Sequence, residues 1–167
     1  MVPGVVGLLA ANQLGRAFYA PVLESPGPAN MARFTYLDPR ARDFFTDWYR
    51  TAKECVAALR TQAGRDSLDR DLCDLIGELS THSEEFAALW ATHDVRLHRK
   101  TEKGFNHPVA GGLTPRYERL AVDGDPGLEI YAYIAEPGSR SAEAFSFLAS
   151  YSDRRDLPSR SSVKKDV

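Results

Sequence analysis

Hydrophobic residues recur along the first half of the chain at steps of three and four, which is the spacing of one face of an α-helix. The longest stripe begins after Asp38 and Pro39, an aspartate that can cap a helix and a proline suited to its first turn. It ends before Gly64 and contains Ala41, Phe44, Phe45, Trp48, Ala52, Cys55, Val56 and Leu59. The pattern predicts one long, half-buried helix, with Arg50 and Glu54 on its polar face at the i,i+4 spacing of a helical ion pair.

Two shorter stripes follow and predict two more amphipathic helices. The first begins after Asp66 and Ser67, and the second begins after Ser83 with two glutamates in its first turn. Their apolar positions are Leu68, Leu72, Leu75, Ile76 and Leu79 in the first helix, and Phe86, Leu89 and Trp90 in the second. Two helices with a short join suggest a helix-turn-helix, but a recognition helix needs basic or amide side chains where this one has glutamates. We therefore do not expect this pair to bind DNA.

Strand-like patterns lie at both ends of the helical half. The apolar run at residues 5–11 predicts a buried strand, and Asn12 can then cap a short helix. After His93 the apolar period becomes alternating, which predicts strands at residues 95–99, 103–107, 117–122 and 128–135. In the last of these, Tyr131 and Tyr133 alternate with aliphatic residues, so both faces of the sheet are apolar. We expect helices to cover one face and the tyrosines to line something on the other.

Composition indicates one domain and no nucleic-acid surface. With 167 residues, 43% of them hydrophobic, the chain can bury one sizeable core but is short for two. We expect a single domain at residues 1–150, closed by an amphipathic helix over 142–149, and a polar, disordered tail at 151–167. The formal net charge of −2 provides no positive field to hold phosphates, so we do not expect this chain alone to bind DNA.

The apolar run near the start and the two cysteines indicate a cytoplasmic protein. Residues 5–11 are too few to span a bilayer, and no basic residue precedes them as in a signal peptide, so we expect no membrane contact. Cys55 and Cys73 fall on apolar positions of helical patterns. We expect both to be buried thiols in a reducing compartment.

The sequence contains no motif typical of catalysis, of a metal site or of a cofactor site. Its glycines do not form a phosphate-binding loop and no serine lies in G-x-S-x-G. The four histidines, His82, His93, His98 and His107, lack the paired spacing of zinc ligands. We therefore expect no enzyme activity, metal or cofactor. A hydrolase that uses His93 or His107 is the remaining catalytic alternative.

An ordered set of short motifs carries more information than any single one. The first half contains LLAAN at 8–12, FTYLDPRAR at 34–42, Trp48, ALR at 58–60 and AGRD at 63–66. The second half contains SEEF at 83–86, LW at 89–90, HDV at 93–95, HP at 107–108, GLT at 112–114 and EPGS at 136–139. Together they resemble the C-terminal ligand-binding domain of MmyB-like transcription regulators, which carry an N-terminal helix-turn-helix of the XRE type.

The resemblance implies an α+β fold of PAS-like form, with a central antiparallel sheet and flanking helices. It also implies an internal cavity for a small, apolar, fatty-acid-like ligand, so that the chain senses an effector for a bacterial transcription regulator. Contact with DNA is then expected only through a helix-turn-helix that is not in this chain. The alternative is a ligand-free interaction module, in which the aromatics only fill a core and the exposed sheet face forms a homodimer.

Candidate site residues follow from the resemblance. For a ligand carboxylate they are Arg42 in the Asp-Pro-x-x-Arg segment, His107 in the His-Pro pair, and Asn12. Each has a structural alternative: Arg42 can pair with Asp38 or Asp43, His107 can donate at a strand end, and Asn12 can act only as a helix cap. For the acyl chain the expected lining is Leu9, Phe18, Phe45, Trp48, Val56, Tyr131 and Tyr133. Pro115, where the family has an apolar strand residue, removes a ladder donor and predicts an edge or a bulge.

Overall fold

Helices form most of the first part of the chain and short strands the second. The computed structural model describes residues 6–92, 101–125 and 127–156, with side chains up to residue 152. The helices are α1 Gln13–Phe18, α2 Ala20–Leu23, α3 Met31–Leu37, α4 Ala41–Phe44, α5 Trp48–Arg65, α6 Arg70–His82 and α7 Glu84–Ala91. The strands are β1 Phe105–His107, β2 Gly111–Leu113, β3 Arg116–Ala121 and β4 Glu129–Ile134, and helix α8 follows at Arg140–Asp156. The α+β class with antiparallel strands is confirmed. The more specific likeness to PAS domains stays a prediction.

Polar side chains begin several helices by accepting backbone N–H groups that have no partner inside the helix. Asn12 accepts the N–H of Gly15 at the start of α1 (2.7 Å), and Ser83 accepts the N–H of Phe86 at the start of α7 (3.2 Å), as predicted. Helix α6 is capped by Asp69, so it begins later than the Asp66–Ser67 pair suggested. None of these caps needs tertiary contacts to form.

The long helix predicted after Asp38 is wrong as a single element, because it breaks between α4 and α5. Phe45 has extended backbone angles and pairs with Phe105 of β1, while the N–H of Thr46 donates to the carbonyl of Gly104 (3.3 Å). Helix α5 then restarts, with the side chain of Asp47 as its N-cap. The strand takes the backbone groups that a continuous helix would have used. Apolar spacing alone does not reveal this competition.

The strands form two antiparallel hairpins, which are connected by a backbone bridge between the segment before β1 and the start of β3. β1 pairs with β2, and β3 pairs with β4. On the other edge of β3, Glu102 pairs with Arg116, and the N–H of Lys103 donates to the carbonyl of Pro115 (3.2 Å). Pro115 lies between β2 and β3, so it ends one strand pair rather than forming the edge or bulge predicted from its sequence position. The predicted strand at 95–99 lies outside the described residues.

Three sequence expectations about exposure are wrong. Residues 6–11 do not form a buried strand, since only Gly7 makes a strand-like pair, with Asn30, and Leu9 is 53% exposed. Helices do not cover the aliphatic face of β4, where Ile130 remains 54% exposed. Cys55 is buried as predicted, but Cys73 is exposed because it lies beside the inward-facing row of α6 rather than on it.

Two hydrophobic clusters make up the described core. The first joins helices α1 to α4, the β1–β2 hairpin and α8, and contains Phe18, Tyr19, Val22, Phe34, Ala41, Phe44, Phe45, Phe105, Leu113, Ala144 and Leu148. The second lies among α3, α5, α6 and α7 and contains Ala32, Val56, Leu59, Leu72, Leu75, Leu79 and Phe86. Helix α8 runs to Asp156, past the predicted domain boundary at residue 150. No helix in the described ranges is long and apolar enough to cross a membrane.

His107 ties the β1–β2 hairpin to helix α1. Its buried imidazole lies 3.1 Å through Nε2 from the carbonyl of Ala17, while Nδ1 accepts the N–H groups of Val109 and Ala110 (both 3.2 Å). Because Nδ1 accepts, the ring is neutral and Nε2 carries the proton that bonds to Ala17. Burial lowers the pKa of His107 below its usual 6.5.

The close approach of β1 to Thr46 predicts that Gly104→Ala destabilises the protein. A Cβ at position 104 would lie 2.1 Å from Oγ1 and 3.2 Å from Cβ of Thr46. We expect the free energy of unfolding, measured by urea denaturation, to fall by about 1–3 kcal/mol. The double variant Gly104→Ala, Thr46→Gly should recover part of this loss. Gly77→Ala in α6, where a Cβ meets nothing within 4 Å, should not be destabilising. Unchanged stability of Gly104→Ala would contradict the observed approach.

The buried imidazole of His107 predicts a pH-dependent stability. Its folded-state pKa is depressed, so the stability it contributes is present above the unfolded value of 6.5 and is lost as the pH falls through the folded pKa. Between about pH 7.5 and about pH 5, the free energy of unfolding should therefore fall more steeply for the wild type than for His107→Gln. The exposed His82→Gln is the control and should follow the wild type. Parallel profiles for wild type and His107→Gln would show that burial does not perturb this histidine.

Candidate functional site

The polar residues proposed from the sequence take up separate structural positions. Arg42 is 57% exposed, forms an ion pair with Glu85 and lies over the ring of Trp48, at 4.1 Å from its centroid. It therefore links α4 to α7. Asp38, an alternative partner, is bound instead by Arg40 (2.7 Å), whose hydrogen bond lowers the pKa of Asp38 to about 2.

Asn12 and His107 also make contacts that hold the fold. The side chain of Asn12 is the N-cap of α1, and both ring nitrogens of His107 are engaged by backbone groups. A histidine bonded in this way has no free nitrogen to act as a general base, which removes the support for hydrolysis at His107. His93 and His98 lie outside the described residues. Nor do the described residues bring three His, Cys, Asp or Glu side chains together at a metal-binding distance.

The apolar residues proposed from the sequence separate into three groups. Phe18, Phe45 and Tyr133 belong to the first cluster, where the ring of Phe18 lies 5.2 Å from that of Tyr133. Trp48 packs at the edge of this cluster, and its indole N–H donates to the carbonyl of Thr35 (2.8 Å). Val56 lies in the second cluster. Leu9 and Tyr131 are about half exposed, so the structure brings four of the seven together.

One face of the β3–β4 hairpin carries three tyrosines, Tyr117, Tyr131 and Tyr133, together with Arg119 and Glu129. We call it the tyrosine face. Tyr117 lies opposite Tyr133 with ring centroids 5.9 Å apart, and stacks on Tyr131 at 6.3 Å. The hydroxyl of Tyr133 is hydrogen-bonded to that of Tyr19, so the row continues into the first cluster. Partial burial, then the charge of Glu129, raises the pKa of Tyr131 to about 12. These hydroxyls are therefore neutral near neutral pH.

Side chains of helix α5 approach the β3–β4 hairpin at two points. At one end, burial raises the pKa of Tyr133 well above its usual value, and the nearby charge of Glu54 adds to this rise. At the other end, a Cβ at Gly127 would lie 3.0 Å from Nε2 of Gln62, so the β3–β4 turn approaches α5 closely. Between these points Tyr131 is 49% exposed. We refer to the exposed surface at Tyr131, between these two points, as the α5 cleft.

A charged cluster joins helix α5 to residues 102 and 103, just ahead of β1. One carboxylate, that of Glu54, accepts from Nε of Arg50 (2.9 Å) and from Nζ of Lys103 (3.2 Å). Nη1 of Arg50 is 3.5 Å from the carbonyl of Glu102, and Nη2 is buried with no acceptor among the described residues. The ammonium of Lys103 lies 5.0 Å from the centre of the Phe45 ring. The hydrogen bonds of this cluster are therefore not fully satisfied. A buried donor without an acceptor costs about 1–3 kcal/mol of folding free energy.

A depression with a volume of about 380 Å³ lies where β2 meets the start of α8. Its apolar part is Phe105 and Leu113, and the rest of its lining is Thr46, Gly112, Thr114, Ser139, Arg140 and Ser141. The oxygen of the Ser141 side chain already accepts the N–H of Thr114 (2.9 Å). None of the site residues proposed from the sequence lines this groove.

The sequence predicted one ion pair of the charged cluster, Arg50 with Glu54, but not the third member, Lys103. The spacing predicted the Arg50–Glu54 ion pair, and the structure confirms it. No sequence signal could have identified Lys103, because it meets Glu54 only when the segment at 101–103 lies against α5. That contact turns an ordinary helix-surface pair into a half-buried group of three charges.

Comparison with known proteins assigns the chain to a family. The family model described as "MmyB-like transcription regulator ligand binding domain" matches residues 4–148, which is more than half of the chain. No curated protein gives a match. The ordered motifs, the α+β fold and this match agree, and the chain belongs to the family of MmyB-like transcription regulator ligand-binding domains.

Proposed function

We propose that the chain senses an effector by binding a small, apolar, fatty-acid-like molecule in the α5 cleft. The carrying observation is that Tyr131 remains about half exposed on the same face as Tyr133, which joins the buried aromatic cluster around Phe18. The cleft thus offers aromatic surface that continues inward from solvent. Membership of a regulator ligand-binding family supports a small-molecule ligand.

The chemistry of the α5 cleft suits an acyl chain. Each methylene that leaves water for an apolar surface contributes about 0.8 kcal/mol, so a long chain gains most of its affinity from contact area. Neutral tyrosines offer flat apolar rings together with hydroxyls that can meet a polar group at the rim. Exposed aromatic surface of this kind is typical of binding sites on soluble proteins.

Regulation would follow from a shift in population. A ligand that binds one conformation of the domain better than another shifts the equilibrium toward that conformation, and with it the orientation of a fused helix-turn-helix. The difference between the ligand's binding free energies for the two conformations sets the limit of this shift. The net charge of −2 is consistent with DNA contact through such a separate module rather than through this chain. We place this activity in the cytoplasm, where a transcription regulator meets DNA.

Binding of 1-dodecanol to the delipidated chain tests the proposal. Native mass spectrometry of the freshly purified protein should find a bound lipid-like molecule, and calorimetry should show that 1-dodecanol binds. Tyr131→Ser should weaken this binding about threefold or more, because it removes the exposed ring from the cleft. Tyr49→Ser is the matched control, since Tyr49 is 54% exposed on α5 and lies under Lys53. Absence of any bound lipid and of dodecanol binding would overturn the proposal.

A ligand-free interaction module is the second candidate, and one observation favours it. The face of β3–β4 opposite the tyrosines exposes Leu120, Ile130 and Ile134, each about half accessible. On this hypothesis the face forms a homodimer, and the aromatic cluster serves only as a core.

Light scattering after size-exclusion chromatography separates the two candidates. If the aliphatic face is a dimer interface, the chain is a dimer before and after delipidation and Ile130→Lys makes it a monomer, because burying an unpaired charge is costly. Leu68→Lys is the control, because Leu68 is 86% exposed and lies ahead of α6. A monomer at all concentrations tested would exclude this function.

A further inference from the structure

We propose that the groove between β2 and the start of α8 binds a small phosphorylated polyol through its phosphate group, as a second ligand site of this domain. We call it the β2–α8 groove. The site is separate from the α5 cleft and does not depend on the proposed function. Its basis is a groove of about 380 Å³ whose lining contains unused hydrogen-bond donors and no carboxylate.

The side chains that line the β2–α8 groove include one cation and no anion. The guanidinium of Arg140 lies beside β2, since its Nη2 is 3.9 Å from the position that a Cβ on Gly112 would take. It forms no hydrogen bond or ion pair with any residue in the described ranges. The acidic residues closest to it in the chain, Glu136 and Glu143, are not part of the lining. The charge of Arg140 is therefore available to an anion from solution.

The first turn of α8 adds backbone donors at the same place. Ser139 caps the helix: its side chain accepts the N–H of Ala142 (3.2 Å) and its carbonyl accepts the N–H of Glu143 (3.0 Å). The N–H groups of Arg140 and Ser141 have no acceptor within the described part of the chain, and both residues line the groove. The N-terminus of a helix of 17 residues carries a partial positive charge that favours phosphate oxygens.

A buried hydroxyl indicates a ligand independently of the helix end. Ser141 is only 8% exposed, and its oxygen accepts the N–H of Thr114 (2.9 Å). A serine hydroxyl also has one proton to donate, and that of Ser141 has no acceptor among the residues described. A buried donor without an acceptor reduces stability. Because Ser141 lines the groove, a ligand oxygen bound there would supply the missing acceptor.

The size and the surface of the groove indicate what is attached to the phosphate. Its volume lies in the range of about 300–1,000 Å³ that is typical of sites for small organic molecules. Phe105 and Leu113 also line it, but they are 0% and 3% exposed and offer almost no apolar surface. The exposed hydroxyls of Thr46 and Thr114 are the remaining side-chain partners. A hydroxylated group suits this lining better than an acyl chain.

A ligand in the β2–α8 groove would connect three parts of the fold. Thr46 belongs to the junction between α4 and α5, Gly112 to β2 and Arg140 to α8. A molecule that binds only the folded arrangement of these elements stabilises it by mass action. Occupancy should therefore raise the melting temperature as well as give a binding signal.

Titration calorimetry of the 167-residue chain with glycerol 3-phosphate tests the site. Wild type should bind glycerol 3-phosphate more tightly than inorganic phosphate and should not bind glycerol. Arg140→Gln should weaken glycerol 3-phosphate about tenfold, because it removes the cation of the lining. Arg65→Gln is the matched control, since it removes another exposed arginine, at the end of α5 and outside the lining, and should change the affinity less than about twofold.

A second variant tests the groove rather than the charge. A Cβ on Gly112 would meet only ordinary contacts, 3.7 Å from Oδ1 of Asn106 and 3.9 Å from Nη2 of Arg140. Gly112→Leu should therefore fold and fill the groove, and it should no longer bind glycerol 3-phosphate. The melting temperature of this variant should not respond to the ligand, whereas that of the wild type should rise.

Backbone amide resonances show where the ligand binds. In the wild type, those of Arg140 and Ser141 should shift with glycerol 3-phosphate and stay in place with glycerol. Equal losses of affinity in Arg140→Gln and Arg65→Gln would show non-specific attraction of anions and overturn the site. Equal affinities for inorganic phosphate and glycerol 3-phosphate would overturn the polyol part of the ligand. Absence of binding at about millimolar concentrations, with both resonances unmoved, would overturn the whole proposal.

Discussion

The backbone pairing between the α4–α5 junction and strand β1 is the contact on which the rest of the described structure depends. Phe45 leaves the helix to pair with Phe105, and the next residue, Thr46, donates to the carbonyl of Gly104. The break forfeits helical hydrogen bonds, but the strand replaces them, and it brings the two phenylalanine rings within 5.8 Å of each other in the first cluster. Only glycine allows the chains to come so close, since any side chain at 104 would strike Thr46. The helical and strand parts of the molecule are joined here.

The same pairing decides which charges meet. Because β1 is fixed against the start of α5, the residues just before it, Glu102 and Lys103, lie beside Arg50 and Glu54. The resulting group is half buried, and Nη2 of Arg50 lacks an acceptor among the described residues. The exposed pair of Arg42 with Glu85 differs, since ion pairs that remain in water contribute about 0–1 kcal/mol and leave little energy for recognition.

The two hydrophobic clusters differ in how they are closed. The buried residues of the second all lie on helices, the rings of Phe86 and Trp90 stack at 5.6 Å, and the sequence spacing is that of ordinary helix packing. The first is covered in part by strands and extends through Tyr133 onto a face that water still reaches. This asymmetry distinguishes the exposed tyrosines of β4 from the core aromatics of the second cluster. It agrees with membership of a family of regulator ligand-binding domains.

Local chemistry in the sequence was enough to determine much of the secondary structure. The caps at Asn12 and Ser83, the apolar row of α6, the i,i+4 pair of Arg50 with Glu54 and the interruption at Pro115 follow from interactions between residues close in the chain. The ordered motifs likewise determined the family. Such features depend on short-range sterics and hydrogen bonds, which do not change with the fold around them.

The tertiary structure alone decided the break at Phe45, the exposure of Leu9 and Cys73, the engagement of both nitrogens of His107, and the meeting of Lys103 with Glu54. In each case the deciding partner lies far away in the chain or is a burial that many elements create together. The periodicity predicted a helix at Phe45 because it contains no information about β1, which pairs with the backbone of Phe45 in the folded protein. The spacing of a residue in the sequence predicts the face of the helix or strand on which its side chain lies. The residues that this face contacts are determined only by the tertiary packing.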